Sequence, residues 1–136
     1  MEANSFDVWN EQKKALDETR FTRQHGQPLP KVRGVWMCRL GRNVGIEMNG
    51  GADDFSRPVV IIKKFNNGMF WAVPLSTKQK DLTFYYNFTD VHGWRVSAVV
   101  SQLRLISIKR LKRYLYALPD NHFEAIREQL IGNLVG

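Results

Sequence analysis

The chain has 136 residues, 43% of them hydrophobic and 24% charged, which is typical of one compact domain with a buried core. No apolar run approaches the roughly 20 residues needed to cross a bilayer, and the acidic, polar start argues against a secretory signal. The single cysteine, Cys38, excludes an internal disulfide and a cysteine-rich metal site. We therefore expect a cytoplasmic protein with no membrane contact.

Positive charge is concentrated in the middle of the chain. Eleven basic and two acidic residues lie between Phe55 and Pro119, a net charge of +9, whereas the whole chain carries +7. The two ends together are therefore mildly acidic. A basic stretch inside the fold indicates a surface that faces a polyanion, with nucleic acid as the first candidate, although an ordinary basic surface gives the same count.

The N-terminal part predicts a helix followed by a linker. Residues Ser5 to Arg20 have modest amphipathic character and a serine that can cap the helix. Residues Thr22 to Lys31 contain one glycine and two prolines and are typical of a linker. We assign residues 1–31 to this helix and linker, and residues 32–136 to the folded domain.

Short apolar segments predict strands in the rest of the chain. They are Val32–Leu40, Pro58–Phe65, Met69–Leu75, Thr83–Phe88, Val96–Gln102 and Leu111–Ala117. Asn67-Gly68 lies between two of them and predicts a hairpin with a type I′ turn, which needs positive φ at both central residues. A second tight turn is expected at His92-Gly93.

The chain closes with a predicted helix from Asn121 to Leu134, with Asp120 as its N-cap. Its apolar stripe consists of Phe123, Ile126, Leu130 and Leu134. Several short strands and a terminal helix predict a mainly β (α+β) fold, a small antiparallel barrel. Met69–Leu75 is apolar on both faces, which suggests a second buried surface such as a dimer interface.

Common catalytic and cofactor motifs are absent from the sequence. No glycine-rich loop is followed by Gly-Lys-Ser/Thr, so there is no P-loop. The three histidines, His25, His92 and His122, are isolated, and none lies at metal-ligand spacing from a cysteine or another histidine. Cys38 lies in the middle of an apolar strand face and is expected in the core. We expect neither a metal nor a cofactor.

One arginine and two hydroxyls remain as candidates for chemistry. If the hairpin pairs in simple register, Arg57 reaches the same end of the sheet as Ser76 and Thr77, with Lys78 and Lys80 in the following loop. A guanidinium, two hydroxyls and two ammonium groups suit a phosphodiester.

A structural interpretation of the same residues stays open. Arg57 can form an ion pair with Glu47, and Ser76 can cap a turn. Spacing alone does not separate this interpretation from a phosphodiester site.

Four segments follow one another in a specific order: RGVWMCRLGRNVGIEMNG, SRPVVIIKKF, FWAVPLSTK and VVSQLRLISIKRL, before the closing helix. In order and spacing they resemble the MazF/PemK family of toxin ribonucleases from bacterial toxin–antitoxin pairs. They match its first strand and Gly-x-Glu loop, its Arg-Pro-hydrophobic strand, its Pro-x-Thr/Ser strand end and its Gln-x-Arg-x-Ile element. The resemblance covers about residues 32–134.

The resemblance implies a Src-homology-3-like barrel of the MazF/CcdB type, normally a homodimer, that cuts single-stranded RNA without metal. It implies 2′-hydroxyl attack that leaves a 2′,3′-cyclic phosphate and a 5′-hydroxyl. The implied partners are mRNA and a cognate antitoxin protein, with DNA reached only through the antitoxin complex. Arg57 matches the catalytic arginine and Ser76 the catalytic Thr/Ser, with Thr77 beside it.

Other residues that match family positions are expected to bind substrate or to shape the site. Glu47, Gln102 and Arg104 match such positions. The polar loop from Gly41 to Ser56 is expected to read the RNA sequence and adds Asn43 and Asn49.

Further side chains complete the expected substrate surface. Lys78 and Lys80 are expected to contact the RNA backbone. Trp71, Tyr85 and Tyr86 are candidates for stacking on bases, although strand aromatics also fill cores.

Two departures from the family pattern leave the general base unassigned. Ile46 stands where some members have a histidine, and Ser101 stands where many have an acidic residue. Two alternatives therefore stay open: a non-catalytic gyrase poison of the same fold, and a plain nucleic-acid-binding barrel.

Overall fold

The structure is a computed structural model that describes residues 29–41 and 56–135. It contains seven strands and one helix in this part of the chain: β1 (Gly34–Arg39), β2 (Ser56–Asn66), β3 (Met69–Ser76), β4 (Tyr85–Thr89), β5 (Arg95–Val99), β6 (Arg104–Ser107), β7 (Leu111–Ala117) and α1 (Asp120–Val135). Two 3-10 turns lie at Val100–Gln102 and Ile108–Arg110. The predicted helix Ser5–Arg20 lies outside the described residues, as does most of the polar loop after Gly41.

The strands form one antiparallel sheet in the order β4-β5-β3-β2-β1-β7, with β6 paired to β3. One edge of β3 is shared between two neighbours. Met69–Ala72 pairs with β6, whereas Leu75 and Ser76 pair with β5. Because a single strand serves both partners, the sheet must curl around β3. The mainly β architecture with a closing helix is confirmed.

The curled sheet is buried on both faces by two separate hydrophobic clusters. The first joins the sheet to α1: Val35, Val60, Val73, Leu75, Phe88, Val96, Ala98, Val100, Leu118, Phe123, Ile126 and Leu130. The second lies on the opposite face: Trp36, Cys38, Leu40, Val59, Ile61, Phe70, Ala72, Ile106 and Leu111. Val73 and Leu75 on one face of β3, and Phe70 and Ala72 on the other, therefore find partners inside one chain, whereas Trp71 is 40% exposed.

The helix α1 packs on the sheet through Phe123, Ile126 and Leu130. The predicted stripe is wrong at its last member, because Leu134 is 78% exposed. At this end the helix meets the sheet through polar contacts, since the side chains of Gln129 and Asn133 donate to the carbonyl of Thr83 at 2.6 and 2.9 Å. In the part of the chain that the structure describes, no helix is long and apolar enough to span a bilayer.

The hairpin between β2 and β3 is confirmed, but its turn is not type I′. Neither Asn67 nor Gly68 has a positive φ. The Gly68 amide donates to Oδ1 of Asn66 at 2.8 Å, and the Gly68 carbonyl accepts from the Ile108 amide at 2.8 Å. An asparagine side chain and a distant backbone amide thus fix the turn, in place of left-handed backbone geometry.

One strand was missed by the sequence analysis. β6 is four residues long and stands between two 3-10 turns, so it shows no period-two alternation of useful length. The end of the predicted strand Val96–Gln102 forms the first of these turns instead. β6 is stabilised by its pairing with the first half of β3, a contact between segments far apart in the sequence.

Two phenylalanines of the hairpin offer a matched test of this packing. Phe70 is 1% exposed in the second cluster, whereas Phe65 is 47% exposed at the end of β2. We expect Phe70→Ala to lower the free energy of unfolding by about 3–5 kcal/mol, because it leaves a cavity. We expect Phe65→Ala to cost less than about 1 kcal/mol. Urea denaturation followed by circular dichroism measures both, and equal costs would contradict this packing.

Candidate functional site

The candidate site depends on the register between β2 and β3. Simple pairing about Asn67-Gly68 would place Arg57 opposite Lys78. Two irregularities in β2, between Ile61 and Lys63 and between Lys64 and Asn66, each add one residue to that strand. The last observed pair is Val59 with Pro74, and the same register continued by two residues sets Arg57 opposite Ser76. The two bulges therefore place Arg57 opposite Ser76.

Arg57, Ser76 and Thr77 line one cavity of about 220 Å³ at this end of the sheet. The other lining residues come from five different parts of the chain: Pro58, Leu75, Asp90, His92, Val96, Leu115 and Tyr116. Most of the wall is apolar, and the polar groups stand among it. The structure thus brings together the three residues that the sequence analysis proposed as catalytic.

Arg57 is half-buried, and its Nη1 donates a long hydrogen bond of 3.4 Å to the Leu75 carbonyl. Burial lowers the pKa of the Arg57 guanidinium from its ordinary value, and the nearby Tyr85 phenol acts in the opposite direction. On its other side the Arg57 backbone pairs with Cys38 of β1. The Arg57 backbone therefore lies between β1 and β3 near the end of the sheet, and its cation is only partly exposed to solvent.

Ser76 is buried, with 8% of its surface exposed. Its Oγ accepts a hydrogen bond from the Lys78 amide at 3.1 Å, so the hydroxyl does cap the turn that ends β3. This bond uses a lone pair of the oxygen and leaves the hydroxyl hydrogen for donation to an anion. The structural and the chemical interpretations of Ser76 are compatible. Thr77 is exposed at the rim of the cavity.

Side chains that the sequence analysis missed hold the loop after β3. The buried Ser97 hydroxyl donates to the Lys78 carbonyl at 2.7 Å. The Gln79 side chain donates to the carbonyls of Val96 and Phe88 at 2.8 and 3.1 Å. These contacts join the loop to β4 and β5, and no local sequence signal indicates them.

Lys78 and Lys80 are exposed on this loop. The Lys80 ammonium lies 5.6 Å from the ring centre of Tyr85, a cation–π distance. Tyr85 is half-buried, and its phenol partly offsets the effect of burial on the Arg57 pKa. The two lysines and Tyr85 therefore belong to the surface around the cavity.

The other two aromatic candidates lie in different surroundings. Tyr86 forms a 2.7 Å hydrogen bond with Nδ1 of His122 and stacks on Phe88, so it connects β4 to α1. Trp71 is 40% exposed and packs edge-on against Phe65 at 4.9 Å. Trp71 lies five positions before Ser76 on β3, roughly 16 Å along the strand. Neither ring lines the cavity.

Gln102 and Arg104 are half-buried, and neither lines the cavity. Gln102 ends the first 3-10 turn, and Arg104 begins β6, where it pairs with Ala72. Three further predicted residues, Asn43, Glu47 and Asn49, lie outside the described residues, as does Ile46. Their placement relative to Arg57 stays a prediction.

Three cavity residues had no role in the sequence analysis. Asp90 and His92 come from the turn between β4 and β5, and Tyr116 comes from β7. Burial and the nearby Asp90 carboxylate raise the pKa of the Tyr116 phenol to about 12. Only the closure of the sheet brings these residues to Arg57, because they lie more than thirty residues away in the sequence.

Cys38 is completely buried, as predicted. Burial raises the pKa of its thiol to about 12, and the charges of Arg110 and Arg104 only partly offset this effect. Among residues 29–41 and 56–135, no group of three histidine, cysteine or acidic side chains is arranged to hold a metal ion.

The Cys38 thiol provides a pH-dependent test of this burial. At pH 8 a pKa near 12 leaves about one thiol in ten thousand ionised, so alkylation of the folded protein should be about a thousandfold slower than in concentrated urea. Because the folded pKa is raised, the stability from the buried thiol is complete below pH 9 and is lost as the pH rises toward 12. Rapid alkylation of the folded protein, followed by mass spectrometry, would contradict this placement.

The fold is similar to that of several solved toxins. The crystal structure of MazF from Deinococcus radiodurans aligns with a TM-score of 0.64 at 16% identity, over 81% of this chain and 100% of that chain. An endoribonuclease in complex with its cognate antitoxin, from a Mycobacterial species, aligns at 0.62 and 15% identity, over 78% and 95%. A MazE–MazF structure from Deinococcus radiodurans aligns at 0.61 and 16% identity, over 81% and 98%.

The family of this chain is shown by its sequence and not by its fold alone. No curated protein matches it at a significant level. The family of PemK-like, MazF-like toxins of type II toxin–antitoxin systems matches residues 31–134, which is most of the chain and includes the whole described sheet and nearly all of α1. The chain therefore belongs to the PemK/MazF-like toxin family of type II toxin–antitoxin systems.

Proposed function

We propose that this protein is a metal-independent, sequence-specific endoribonuclease toxin that cleaves single-stranded mRNA in the cytoplasm. The observation that supports it most directly is the shared cavity of Arg57, Ser76 and Thr77. A buried hydroxyl and a half-buried guanidinium on adjacent strand ends provide two donors for the non-bridging oxygens of one phosphate. Exposed Lys78 and Lys80 add positive charge beside it, where a nucleic-acid backbone would approach.

The chemistry fits RNA because the substrate carries its own nucleophile. The 2′-oxygen attacks the adjacent phosphorus, the bond to the 5′-oxygen breaks, and the products are a 2′,3′-cyclic phosphate and a 5′-hydroxyl. Arg57 stabilises the charge that develops on the phosphate oxygens, and Ser76 donates a hydrogen bond to one of them. Such donors contribute more in a water-poor cavity than at an open surface.

The remaining predicted site residues extend the substrate surface of the proposed enzyme. Tyr85, beneath Lys80, offers a ring for base stacking close to the cavity. Gln102 and Arg104 act from a neighbouring part of the sheet. The loop residues Asn43, Glu47 and Asn49 are proposed to read the RNA sequence and to support Arg57.

The proposed partners follow from the family. A cognate antitoxin protein neutralises the toxin by covering the RNA surface, and contact with DNA occurs only through that complex. The related Mycobacterial endoribonuclease was solved together with its cognate antitoxin.

RNA cleavage in EDTA tests the proposed activity. A long single-stranded RNA should be cut at one short motif, with 5′-hydroxyl ends, and DNA of the same sequence should stay intact because it lacks the 2′-hydroxyl. Arg57→Ala should slow cleavage by about 10²- to 10³-fold, because it removes a transition-state contact. Ser76→Thr retains the hydroxyl and should keep more activity than Ser76→Ala.

Arg127→Ala is the matched control, since Arg127 is an exposed helix residue paired with Glu124. It removes the same charge and should leave cleavage unchanged. If the folded wild-type protein leaves RNA intact, the endoribonuclease proposal is wrong, and a gyrase poison or a binding module takes its place.

The proposed enzyme is a homodimer. Large apolar side chains stay exposed on the described surface, including Trp94 at 70%, Ile131 at 55% and Leu105 at 53%. Light scattering at micromolar concentration should therefore give about twice the chain mass of 15.8 kDa. A mass equal to one chain across the accessible concentration range would contradict the dimer.

A further inference from the structure

The turn between β4 and β5 carries a histidine into the candidate site. His92 lines the same 220 Å³ cavity as Arg57 and Ser76, although it is 35 positions from Arg57 in the sequence. In the sequence this histidine is isolated from the other two. In the fold it lines the cavity that also contains the proposed phosphate contacts.

The backbone of this turn is fixed by Asp90. Its Oδ1 accepts hydrogen bonds from the amides of His92 and Trp94, both at 2.9 Å. The Asp90 carbonyl accepts from the Gly93 amide at 3.0 Å, and the Asp90 amide donates to the Trp94 carbonyl at 2.9 Å. Gly93 has φ +85°, which a side chain would strain. Four hydrogen bonds within five residues therefore fix the backbone that carries His92, a residue that is exposed at the edge of the cavity.

The imidazole is also oriented from the opposite strand. Its ring meets the Tyr116 ring edge-on, with 5.7 Å between centroids and an interplanar angle of 86°. The pKa of Tyr116 is raised to about 12, so this neighbour is an uncharged phenol across the neutral range. The ionisable groups that line the cavity together with His92 are Asp90 on its own turn, Tyr116 on β7 and Arg57 on β2.

The proposed reaction needs a group that accepts a proton at neutral pH. Attack by the 2′-oxygen requires loss of the 2′-hydroxyl proton, and neither a guanidinium nor a serine hydroxyl accepts it. On the described wall of the cavity, Asp90 and His92 are the side chains able to do so, and Asp90 already binds two amides through Oδ1. Histidine is the residue type that gains and loses a proton between pH 5 and 8.

We propose that His92 is the general base of this ribonuclease, an inference that rests on the proposed function. A ring nitrogen of neutral His92 takes the 2′-hydroxyl proton as the O2′–P bond forms. The P–O5′ bond breaks, and the 5′-oxygen takes up a proton from water. After product release, the imidazolium returns its proton to solvent. This assignment provides the proton acceptor that Ile46 and Ser101 do not provide.

Two variants separate proton transfer from a packing role. His92→Phe keeps a flat ring edge-on to Tyr116, and His92→Gln keeps a polar group on the same turn. Both should lower the single-turnover cleavage rate by about 10²- to 10⁴-fold, the usual contribution of a general base. Binding of an RNA with a 2′-deoxy residue at the cut site should stay within about threefold of wild type.

The pH profile is the decisive readout. Because the neutral imidazole is the active form, the wild-type rate should rise with pH, and both variants should lose this rise. His122→Gln is the matched control, since His122 bonds to Tyr86 and does not line the cavity. Its rate and profile should match the wild type.

The failures of the two proposals are distinguishable. If His92→Phe cleaves within a few-fold of wild type while Arg57→Ala is inactive, the function stands and His92 is not the base. If His92→Phe keeps the wild-type rate and pH profile and His92→Gln does not, His92 acts only through its ring contact with Tyr116, and the general-base proposal is wrong. If wild-type protein cleaves no RNA, both proposals fail together.

Discussion

The pairing of β2 with β3 determines where every polar group of the candidate site lies. Each bulge in β2 adds one residue, and together they shift the register by two positions by the time the strands reach the rim. Without them the buried Ser76 would not stand opposite Arg57. The other edge of β2 pairs with β1 in a register of its own, which places Cys38 beside Arg57. The cavity is therefore a consequence of strand geometry more than of loop conformation.

The two hydrophobic clusters hold the strands in place, and the loops around the cavity are attached to these strands. The C-terminal half of β3 is buried on both faces inside one chain, so its end is a fixed platform for the loop that carries Lys78 and Lys80. Gln79 and Ser97 then bind that loop to β4 and β5. The turn that carries His92 is fixed in a comparable way by Asp90. Polar side chains bonded to backbone groups thus position the rim, while the apolar clusters position the strands.

Elements with strong local signals could be predicted from the sequence. Leu111–Ala117 matches β7 at both ends, and the hairpin and the closing helix were found within one or two residues. β6 was missed because its four residues depend on pairing with a distant strand. The turn type was wrong because Asn66 and a backbone amide decide it. Local periodicity contains no information on such distant partners.

The same limit applies to the candidate site. Arg57, Ser76 and Thr77 could be placed together because they lie on two strands joined by a short turn. Asp90, His92 and Tyr116 reach the cavity only through the closure of the sheet, which no spacing in the sequence indicates.

The positively charged side chains around the cavity differ in their exposure to water. We therefore expect them to have different roles in the proposed reaction. Lys78 and Lys80 are exposed, so salt screens them and they act mainly on the approach of the RNA backbone. Arg57 is half-buried beside apolar walls, where its field is stronger and where burial already lowers its pKa. Holding a cation there costs solvation before substrate binds. A negatively charged transition state offsets this loss of solvation more fully than a neutral ligand does. The Arg57 guanidinium is already in place, so it stabilises the developing negative charge without reorganisation. The half-buried Arg57 is thus better suited to stabilising a reacting phosphate than the exposed Lys78 and Lys80.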